Sequence, residues 1–447
     1  MPTAQQLRTG AWHGDSAVHL HFPSSWNVTT HWPVTPPPLS DAQILECLRR
    51  PVGQMPIRNL CAGKSRPIVL VDDMNRPTPA ARIIPFLLEE FEAAGIPASK
   101  VTILMARGSH GAPARGSILL KVGERAASSC RVLLHDPYHG NVKTGVTSFG
   151  TPVHVNREVL AADYVMGIGG IYPNNTAGFG GGAKLALGVL DVRVISQLHR
   201  KHKGAGWGNA GQENNFRKDL EEIARLIGLG TLITAHVNAD RELVRMRSGD
   251  YKLYYREEVA FAREAFHAPK PLEADVVISN AFPNDLSLTF IHMKGIHPLR
   301  HAAPTASRIV FGACSEGEGF HGVYPIVRVP PFHEQRDRLR RISLMTPSEI
   351  LRKIAGKITG KIHFTKSPVS AARLDSDAKR HQLPIKPKNP IWLYPTGNLP
   401  DGLPSAVRGM RLVHKWDEIL EIVRREQGGR EQLNVVVYPC APLQVFD

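Results

Sequence analysis

Short apolar runs alternate with segments of helical periodicity from Pro67 onward. The runs PIVLVDD, VTILMAR, RVLLHD and DYVMGIGG have the length and near-continuous hydrophobicity of buried strands. Helical patterns lie between them and after them, at 78–95, 183–200 and 213–227. Strands that alternate with helices in this way predict βαβ crossovers and a largely parallel sheet.

The same rhythm restarts near residue 270, with the strand signals ADVVISN, SRIVFGA, IWLYP and NVVVYP. The helical patterns of this half lie at 285–295, 347–357 and 415–427. A helix predicted from Tyr255 to His267 connects the halves. We therefore predict an α/β fold with two α/β domains, 1–268 and 269–447, with largely parallel sheets and an active site in the interdomain cleft.

The first forty residues are rich in proline and polar residues and predict little regular structure beyond one early strand. Ser40 or Asp41 then has the character of a helix N-cap, for a helix that continues through Arg49.

Three polar segments each follow a predicted strand. DDMNR comes after the first strand, RGSH after the next, and a glycine-rich loop after a third. In parallel sheets, ligands bind beyond the carboxyl ends of the strands. The three segments are therefore expected on one rim of the sheet.

Composition and charge limit the classes of partner. The chain has 447 residues, 42% of them hydrophobic, and a formal charge of +15. Its basic residues are concentrated in Arg336–Arg341 and in a Pro- and Ser-rich stretch from Lys353 to Lys388, which has the character of a surface loop. Because no zinc-finger spacing or other nucleic-acid reader motif accompanies them, a small anionic substrate or cofactor is favoured over nucleic acid.

Targeting and redox signals are weak. No apolar run approaches the ~20 residues that a membrane span needs, and the start MPTAQQLRTGAWHGD lacks the features of a signal peptide. We therefore expect a cytoplasmic protein that does not bind membranes. The five cysteines are far apart without a C-x-x-C pair, which argues against a zinc knuckle or a disulfide scaffold.

The segment Asn174–Lys184, NNTAGFGGGAK, is the strongest candidate for a ligand-binding loop. Gly180, Gly181 and Gly182 let backbone N–H groups approach a ligand, and the helix predicted after them adds unpaired donors suited to a phosphate. Lys184 adds charge or, if its pKa is lowered, a nucleophile. A purely structural loop is the alternative, whereas a dinucleotide site is disfavoured because the first glycine lies well beyond the preceding strand.

CAGKS also has the form of a Walker A tail. We reject this reading because Arg58 occupies the required earlier glycine position and the segment precedes its strand.

Asp73, Arg76 and His110 are the other chemical candidates. Asp73 and Arg76 flank a helix start, so a helix cap and a surface ion pair are the simpler interpretation. His110 follows a strand between Gly108 and Gly111, which keeps its ring accessible and favours a general base over a structural histidine.

Taken together, VDDMNRPTPA, ARGSHGAP, the glycine loop and ISQLHRKH resemble, in order and spacing, the nickel-pincer-nucleotide lactate racemase family. The resemblance covers the first two thirds of the chain well and the last third weakly. It implies a racemase or epimerase that moves a hydride at C2 of a 2-hydroxy acid. It also implies nickel in a pyridinium-3-thioamide-5-thiocarboxylate mononucleotide tethered to Lys184, supplied by cofactor-synthesis proteins.

The resemblance implies roles for individual residues as well. Arg76 and Lys294 would bind the substrate carboxylate, and His110 would take the hydroxyl proton. The residues that would contact the cofactor are Asp73, Gly180, Gly181, Gly182 and Lys184. Either His199 or His202 would ligate nickel, with His199 closer to the family spacing.

Two departures from the family pattern put the reaction in question. Asn174 occupies the position of a catalytic histidine, and Phe290 and Ile291 stand where polar substrate contacts are expected. The first departure leaves a one-sided redox or elimination reaction as the alternative, unless another residue supplies the second base. The candidates for that base are Tyr172, His154 and His292. The second departure predicts a larger or less polar substrate than lactate, or a pocket built from His292 or His297.

Overall fold

The computed structural model describes residues 3–113, 115–209, 214–324, 389–397, 406–407 and 409–446. The predicted helix at 347–357 and the basic stretches Arg336–Arg341 and Lys353–Lys388 lie outside these residues. Within them, each helix is too short or too polar to cross a membrane.

Twenty-one strands and eleven α-helices are found in the described residues. The strands up to residue 249 are β1 (Thr3–Thr9), β2 (Ser16–Phe22), β3 (Asn27–Thr30), β4 (Pro67–Asp72), β5 (Thr102–Ala106), β6 (Arg131–Leu134), β7 (Asn141–Val146), β8 (Pro152–Asn156), β9 (Tyr164–Gly170), β10 (Pro173–Asn174), β11 (Gly178–Phe179), β12 (Leu229–Val237) and β13 (Leu243–Gly249). The later strands are β14 (His267–Ala268), β15 (Val276–Asn280), β16 (Ser307–Gly312), β17 (Ile391–Pro395), β18 (Ala406–Val407), β19 (Met410–Leu412), β20 (Asn434–Tyr438) and β21 (Val445–Phe446).

The α-helices are α1 (Asp41–Arg49), α2 (Ile57–Leu60), α3 (Ala80–Ala93), α4 (Arg115–Val122), α5 (Glu124–Ser129), α6 (Arg157–Ala161), α7 (Val192–Lys201), α8 (Asn215–Leu226), α9 (Tyr251–Ala265), α10 (Leu288–Phe290) and α11 (Trp416–Glu426). Short 3-10 segments lie at Ala98–Lys100, Gly182–Val189 and Pro298–Arg300, and a π-helical turn lies at Ile291–Gly295.

The first sheet has six strands in the order β13-β12-β9-β4-β5-β6. All neighbouring pairs are parallel except β12 with β13. Strand β4 is buried at every position, and separate apolar clusters cover the two faces of the sheet. Burial on both faces explains the near-continuous apolar runs of these strands, and the predicted parallel sheet is confirmed.

The second sheet has seven strands in the order β18-β19-β17-β16-β15-β20-β3. Its pairs are parallel except β18 with β19. Strand β3 forms one edge, and apolar residues of the β1–β2 hairpin pack in the same core as β15 and β20. The N-terminal strands therefore contact the second sheet, and the division into 1–268 and 269–447 stays a prediction.

Two predicted helices have a different form in the structure. The segment 183–200 is a 3-10 helix at Gly182–Val189 followed, after an N-cap at Asp191, by α7. At Gly188 the backbone packs so closely on the end of β5 that a Cβ atom would lie 2.4 Å from the carbonyl oxygen of Ala106. The segment 285–295 has only α10 and the π-helical turn.

The helix start near residue 40 is as predicted. Ser40 is the N-cap of α1, and its hydroxyl and the Gln43 side chain form a capping box. Three strands, rather than one, precede this helix.

Candidate functional site

The three polar segments do meet on one rim of the first sheet. Strands β9, β4 and β5 are adjacent and parallel, so their carboxyl ends point the same way. Asp73, His110 and the loop that starts after Gly170 follow these ends directly. The sheet therefore brings together residues that are far apart in the sequence.

Asp73 and His110 form a buried pair at the centre of this rim. The carboxylate Oδ2 of Asp73 is 2.6 Å from Nδ1 of His110 and also accepts a hydrogen bond from Asn75 at 2.9 Å. Burial opposes ionisation of Asp73, yet the His110 ring and Arg76 hold the pKa of its carboxyl well below the usual range. Burial also lowers the pKa of His110 below its usual value, despite the nearby carboxylate. A neutral His110 donates from Nδ1 and leaves the lone pair of Nε2 available as a base.

Lys121 holds the segment that carries Asp73. Its side chain is fully buried, and Nζ lies 2.7 Å from the Asp72 carboxylate. The same ammonium donates to the backbone carbonyls of Asp73 at 3.3 Å and Arg76 at 2.9 Å. Buried donors and acceptors that satisfy one another fix a loop firmly, so Lys121 positions the motif without facing a ligand. Sequence reasoning missed this residue because a single lysine in a helix has no distinctive pattern.

Arg76 leaves its guanidinium largely uncommitted. Nη1 donates to the carbonyl oxygen of Asn75 at 2.8 Å, and Arg76 forms no salt bridge within the described residues. Asn284, which follows β15 of the second sheet, donates to the same carbonyl oxygen at 2.5 Å. Arg76 is thus a half-buried cation available to an anionic ligand, beside a contact between the two sheets.

The glycine loop is held from outside by two large side chains. Arg217 donates to the carbonyl oxygens of Phe179 at 3.0 Å and Gly181 at 3.4 Å, and its guanidinium lies 4.0 Å from the centre of the Tyr255 ring. The Tyr255 hydroxyl donates to Gly180 at 3.0 Å. Neither residue was a sequence candidate, because both come from helices that carry no recognisable motif.

Glycine is required at two positions of this loop. Gly181 and Gly182 have φ values of 73° and 57°, in the left-handed region. A Cβ atom at Gly181 would lie 2.6 Å from Ile171, and one at Gly182 would lie 3.0 Å from Arg217. The first amides of the 3-10 helix that begins here have no preceding helical carbonyl to bond.

Lys184 is the second residue after these glycines, on the first turn of the 3-10 helix. Burial, reinforced by Arg76 and Arg217, lowers the pKa of its ammonium to about 7. A substantial fraction of the amine is then unprotonated near neutral pH, as a nucleophile requires.

His199 and His202 lie in different environments. Nδ1 of His199 donates to the carbonyl oxygen of Ile195 at 2.8 Å, so the neutral ring keeps the Nε2 lone pair. Burial, with Lys184 and His110 nearby, lowers the pKa of His199 to about 4. The Nε2 of His202 instead lies 2.7 Å from the buried carboxylate of Asp219. The geometry favours His199 as a ligand and gives His202 a structural partner.

Asn174 does not present a base. Its side-chain oxygen accepts hydrogen bonds from the backbone N–H groups of Thr176 and Ala177, both at 2.9 Å, and so closes the turn between β10 and β11. An amide has no basic lone pair comparable to that of imidazole.

The alternative bases are placed as follows. The Tyr172 hydroxyl lies 3.0 Å from Thr78, and burial together with Asp72 raises the pKa of the phenol. His154 is half-buried on β8, opposite Lys143 in the β7–β8 hairpin. His292 is half-buried in the π-helical turn.

The second sheet contributes Lys294 and Phe290. Lys294 is 8% exposed, donates to the carbonyl oxygen of Pro173 at 3.1 Å and lies 4.8 Å from the centre of the Trp207 ring. Burial, followed by the proximity of Arg76 and Lys184, lowers its pKa well below the usual value. The Phe290 ring packs edge-on against His110, with centroids 5.0 Å apart.

Ile291 points elsewhere, into the apolar core of the second sheet. His297 stacks on Trp207 with ring centroids 3.6 Å apart. Of the two apolar residues that replace expected polar ones, Phe290 is therefore the one beside His110.

His321 is a further histidine at this site that sequence reasoning missed. Its ring centroid is 4.9 Å from that of His110 and 5.3 Å from that of Tyr324, and it is 6% exposed. It comes from the loop after β16, where no motif marks it.

These residues fit a tethered nucleotide that carries a metal. The glycine loop offers backbone donors, Lys184 a reactive amine, and His199 a free imidazole nitrogen. These three groups supply the donors, the nucleophile and the metal ligand that such a cofactor requires.

Comparison with known proteins agrees with the motifs. The family model "Lactate racemase N-terminal domain" matches residues 13–208. The lactate racemases of Lactiplantibacillus plantarum and Thermoanaerobacterium thermosaccharolyticum are each 25% identical to this chain, over 297 and 296 residues. Each alignment covers 64% of this chain and 69% of the relative.

Solved structures show the same fold. The lactate racemase apoprotein of Thermoanaerobacterium thermosaccharolyticum superposes with a TM-score of 0.65 at 18% identity, covering 99% of this chain and 100% of that one. A Thermotoga maritima protein gives 0.57 at 13% identity, covering 93% and 99%. The resemblance inferred from the motifs is thereby confirmed: residues 13–208 are similar to the N-terminal domain of lactate racemases, and the chain has the fold of a lactate racemase apoprotein.

Proposed function

We propose that this chain is an isomerase, a racemase or epimerase of a 2-hydroxy acid that uses a nickel-pincer nucleotide. The observation that carries the proposal is the Asp73–His110 pair beside Arg76, Lys184 and His199 on one rim. Both curated relatives that match the chain are named lactate racemase, which supports the same reaction class.

The chain's own residues have separable roles in this proposal. Arg76 and Lys294 bind the substrate carboxylate, since both are basic side chains and, besides burial, Arg76 is close enough to contribute to the lowered pKa of Lys294. Nε2 of His110 takes the hydroxyl proton, and Asp73 stabilises the imidazolium that results.

Lys184 and His199 would hold the cofactor, through the amine and through Nε2, with Asp73 and Gly180–Gly182 lining its nucleotide. When bound, this group supplies reversible hydride acceptance from C2 of the substrate. Proteins that synthesise and load the cofactor are therefore required partners. We place the reaction between the rim of the first sheet and the Phe290–Lys294 segment of the second.

Phe290 favours a larger or less polar substrate than lactate. Its ring is 3% exposed and contacts the rings of both His110 and His321. An apolar wall beside the base leaves a hydroxyl or carboxylate there without a partner, but stabilises an alkyl or aryl substituent.

The turn at Asn174 favours a second candidate, a one-sided redox or elimination reaction with the same cofactor. Since the side-chain oxygen of Asn174 is engaged by two backbone N–H groups, it cannot replace a catalytic histidine. With His110 as the single proposed base, initial rates at saturating substrate are expected to differ between the two enantiomers, although the equilibrium constant between simple enantiomers stays at one.

A chiral assay on protein produced with the cofactor-synthesis enzymes tests both candidates. Intact-mass and nickel analysis first establish loading, and a panel of 2-hydroxy acids labelled at C2 then reports inversion and exchange. We expect inversion with unequal initial rates, and an increase in Asn174→His if the new ring comes within ~3 Å of the hydroxyl. Net keto acid or alkene without inversion would select the second candidate, and equal, fast rates would reveal another second base.

A further inference from the structure

His321 is placed directly opposite His110 by backbone hydrogen bonds. Gly111 N–H donates to Phe320 at 2.9 Å, and Gly322 N–H donates to Ser109 at 2.8 Å. These bonds flank an antiparallel bridge between His110 and His321. His110 and His321 are therefore a non-hydrogen-bonded pair, in which the neighbouring residues form the hydrogen bonds. In such a pair the two side chains point to the same face and lie close together.

The ring nitrogens of His321 have defined hydrogen-bonding roles. Nδ1 accepts from the backbone N–H groups of Val323 at 3.2 Å and Tyr324 at 3.1 Å. A ring nitrogen that accepts carries no proton, so in the neutral ring the proton is on Nε2. His110 has the opposite tautomer, because its Nδ1 faces the Asp73 carboxylate.

The two adjacent rings therefore offer complementary atoms to a ligand. Nε2 of His110 is an acceptor, whereas Nε2–H of His321 is a donor. Burial and then the proximity of His110 and His199 lower the pKa of His321 well below its usual value, which keeps this ring neutral. A neutral imidazole in this tautomer donates a hydrogen bond but does not act as a base at Nε2.

We propose that His321 is a substrate-binding residue whose Nε2–H donates a hydrogen bond to the oxygen on C2 of the 2-hydroxy acid. The proposal rests on the function proposed above and assigns the atom that binds this oxygen opposite His110. It also explains how a site with Asn174 in place of a histidine keeps two imidazoles beside the reacting centre.

The proton and electron balance is as follows. The hydroxyl proton moves to Nε2 of His110, the C2 hydrogen leaves with its electron pair to the hydride acceptor, and the C2–O bond becomes a carbonyl. His321 keeps its own proton throughout. Its hydrogen bond strengthens while negative charge develops on the oxygen, as with oxyanion-hole donors.

Two variants distinguish this role from a structural one. His321→Leu removes the donor, whereas His321→Gln retains an N–H donor on a side chain of similar length. In cofactor-loaded enzyme turning over phenyllactate, we expect kcat to fall about 10²-fold in the leucine variant. The glutamine variant should recover at least a tenth of the activity. Bound nickel, cofactor mass and melting temperature should match those of the unmodified protein in both variants.

A spectroscopic measurement on the apoprotein checks the tautomer without turnover. With ¹⁵N-labelled histidine, we expect His321 to show a protonated Nε2 and an unprotonated Nδ1, and the Nε2 resonance to move on addition of phenylpyruvate. An unprotonated Nε2 would overturn the donor role and make His321 a second base. Unchanged kcat in His321→Leu, with normal turnover by the unmodified enzyme, would overturn the proposal alone. An unmodified, loaded enzyme that turns over none of the 2-hydroxy acids would instead overturn the proposed function.

Discussion

The two sides of the candidate site are built in different ways. On the first sheet, Asp73, His110 and the glycine loop each follow a parallel strand, so regular hydrogen bonding sets their positions. On the second sheet, Phe290, Lys294 and His321 lie in a short helix, a π-helical turn and an irregular loop. The first side is polar and carries the proposed base and cofactor ligands, whereas the second presents an apolar ring, a buried lysine and the His321 imidazole.

This difference suggests a division of labour. Groups that must keep a fixed geometry relative to a cofactor would lie on the rigid rim, and groups that contact only the substrate would lie on irregular segments. Substitutions on the rim should therefore abolish loading or chemistry. Substitutions on the other side should alter substrate binding, turnover or preference and leave loading intact.

The largest effect is expected at Lys184. Lys184→Ala removes the only atom proposed to bond covalently to the cofactor, so the mass increment on its peptide and all turnover should disappear. Peptide mass spectrometry and a racemisation assay on co-expressed protein measure both. Lys203→Ala, an exposed lysine nearby, is the matched control and should retain both. An unmodified Lys184 peptide in active, nickel-containing enzyme would contradict the assignment.

Substitutions of His199 in α7 and of His202 at its C-cap should have different effects, the first on metal binding and the second on stability. His199→Ala should lose nickel and retain the fold, because its Nε2 is the free nitrogen. His202→Ala should retain most of the nickel but lower the free energy of unfolding by roughly 1–3 kcal/mol, since buried Asp219 loses a partner. Metal analysis and denaturant titration of both variants test this. Nickel loss confined to His202→Ala would move the ligand there.

His110 should contribute an intermediate effect, with a defined pH dependence. His110→Ala should lower kcat/KM by ~10²–10⁴-fold, the usual contribution of a general base. Because the pKa of His110 lies below its usual value of about 6.5, the base is neutral at higher pH and activity should fall only as pH drops below that value.

Asp73→Asn removes the carboxylate that raises the pKa of His110, so the acid limb should move to still lower pH while the rate falls. Profiles of kcat/KM against pH measure this, with His139→Ala, at an exposed histidine outside the candidate site, as the control. An acid limb above pH 7 in the unmodified enzyme would exclude a neutral His110 as the base.

The smallest effect is expected at Phe290 on the irregular side. Phe290→Gln should lower kcat/KM for phenyllactate roughly tenfold, because a polar group replaces an apolar wall. The ratio of kcat/KM for lactate to kcat/KM for phenyllactate should therefore rise. Nickel content should not change. Phe86→Gln, a half-buried position on α3, controls for the substitution itself. Loss of cofactor in Phe290→Gln would mean that the two sides are not separable.

The sequence predicted the rigid side far better than the irregular one. Doubly buried parallel strands need continuous apolar runs, and the loops after them contain residues with recognisable spacing, such as Asp73, His110 and Lys184. Strands β12 and β13 and the β7–β8 hairpin were missed, since polar residues or glycine interrupt their apolar runs.

The missed site residues have a common cause. His321 reaches His110 through a bridge between distant loops, and Arg217 and Tyr255 reach the glycine loop from separate helices. Such contacts depend on how elements pack and leave no local pattern. Phe290, by contrast, was singled out from the sequence and its ring lies against His110, while an apolar substrate pocket there stays a prediction.

The carbonyl oxygen of Asn75 is a hydrogen-bond acceptor shared by the two sides of the site. It accepts from Arg76 on the first side and from Asn284 on the second, so any relative movement of the two sheets changes the surroundings of the guanidinium. Separation of the two sheets would then weaken the contact of Arg76 with the carboxylate that it is proposed to bind, and their approach would strengthen this contact. A residue remote from bond breaking, Asn284, would in this way influence how long product stays bound.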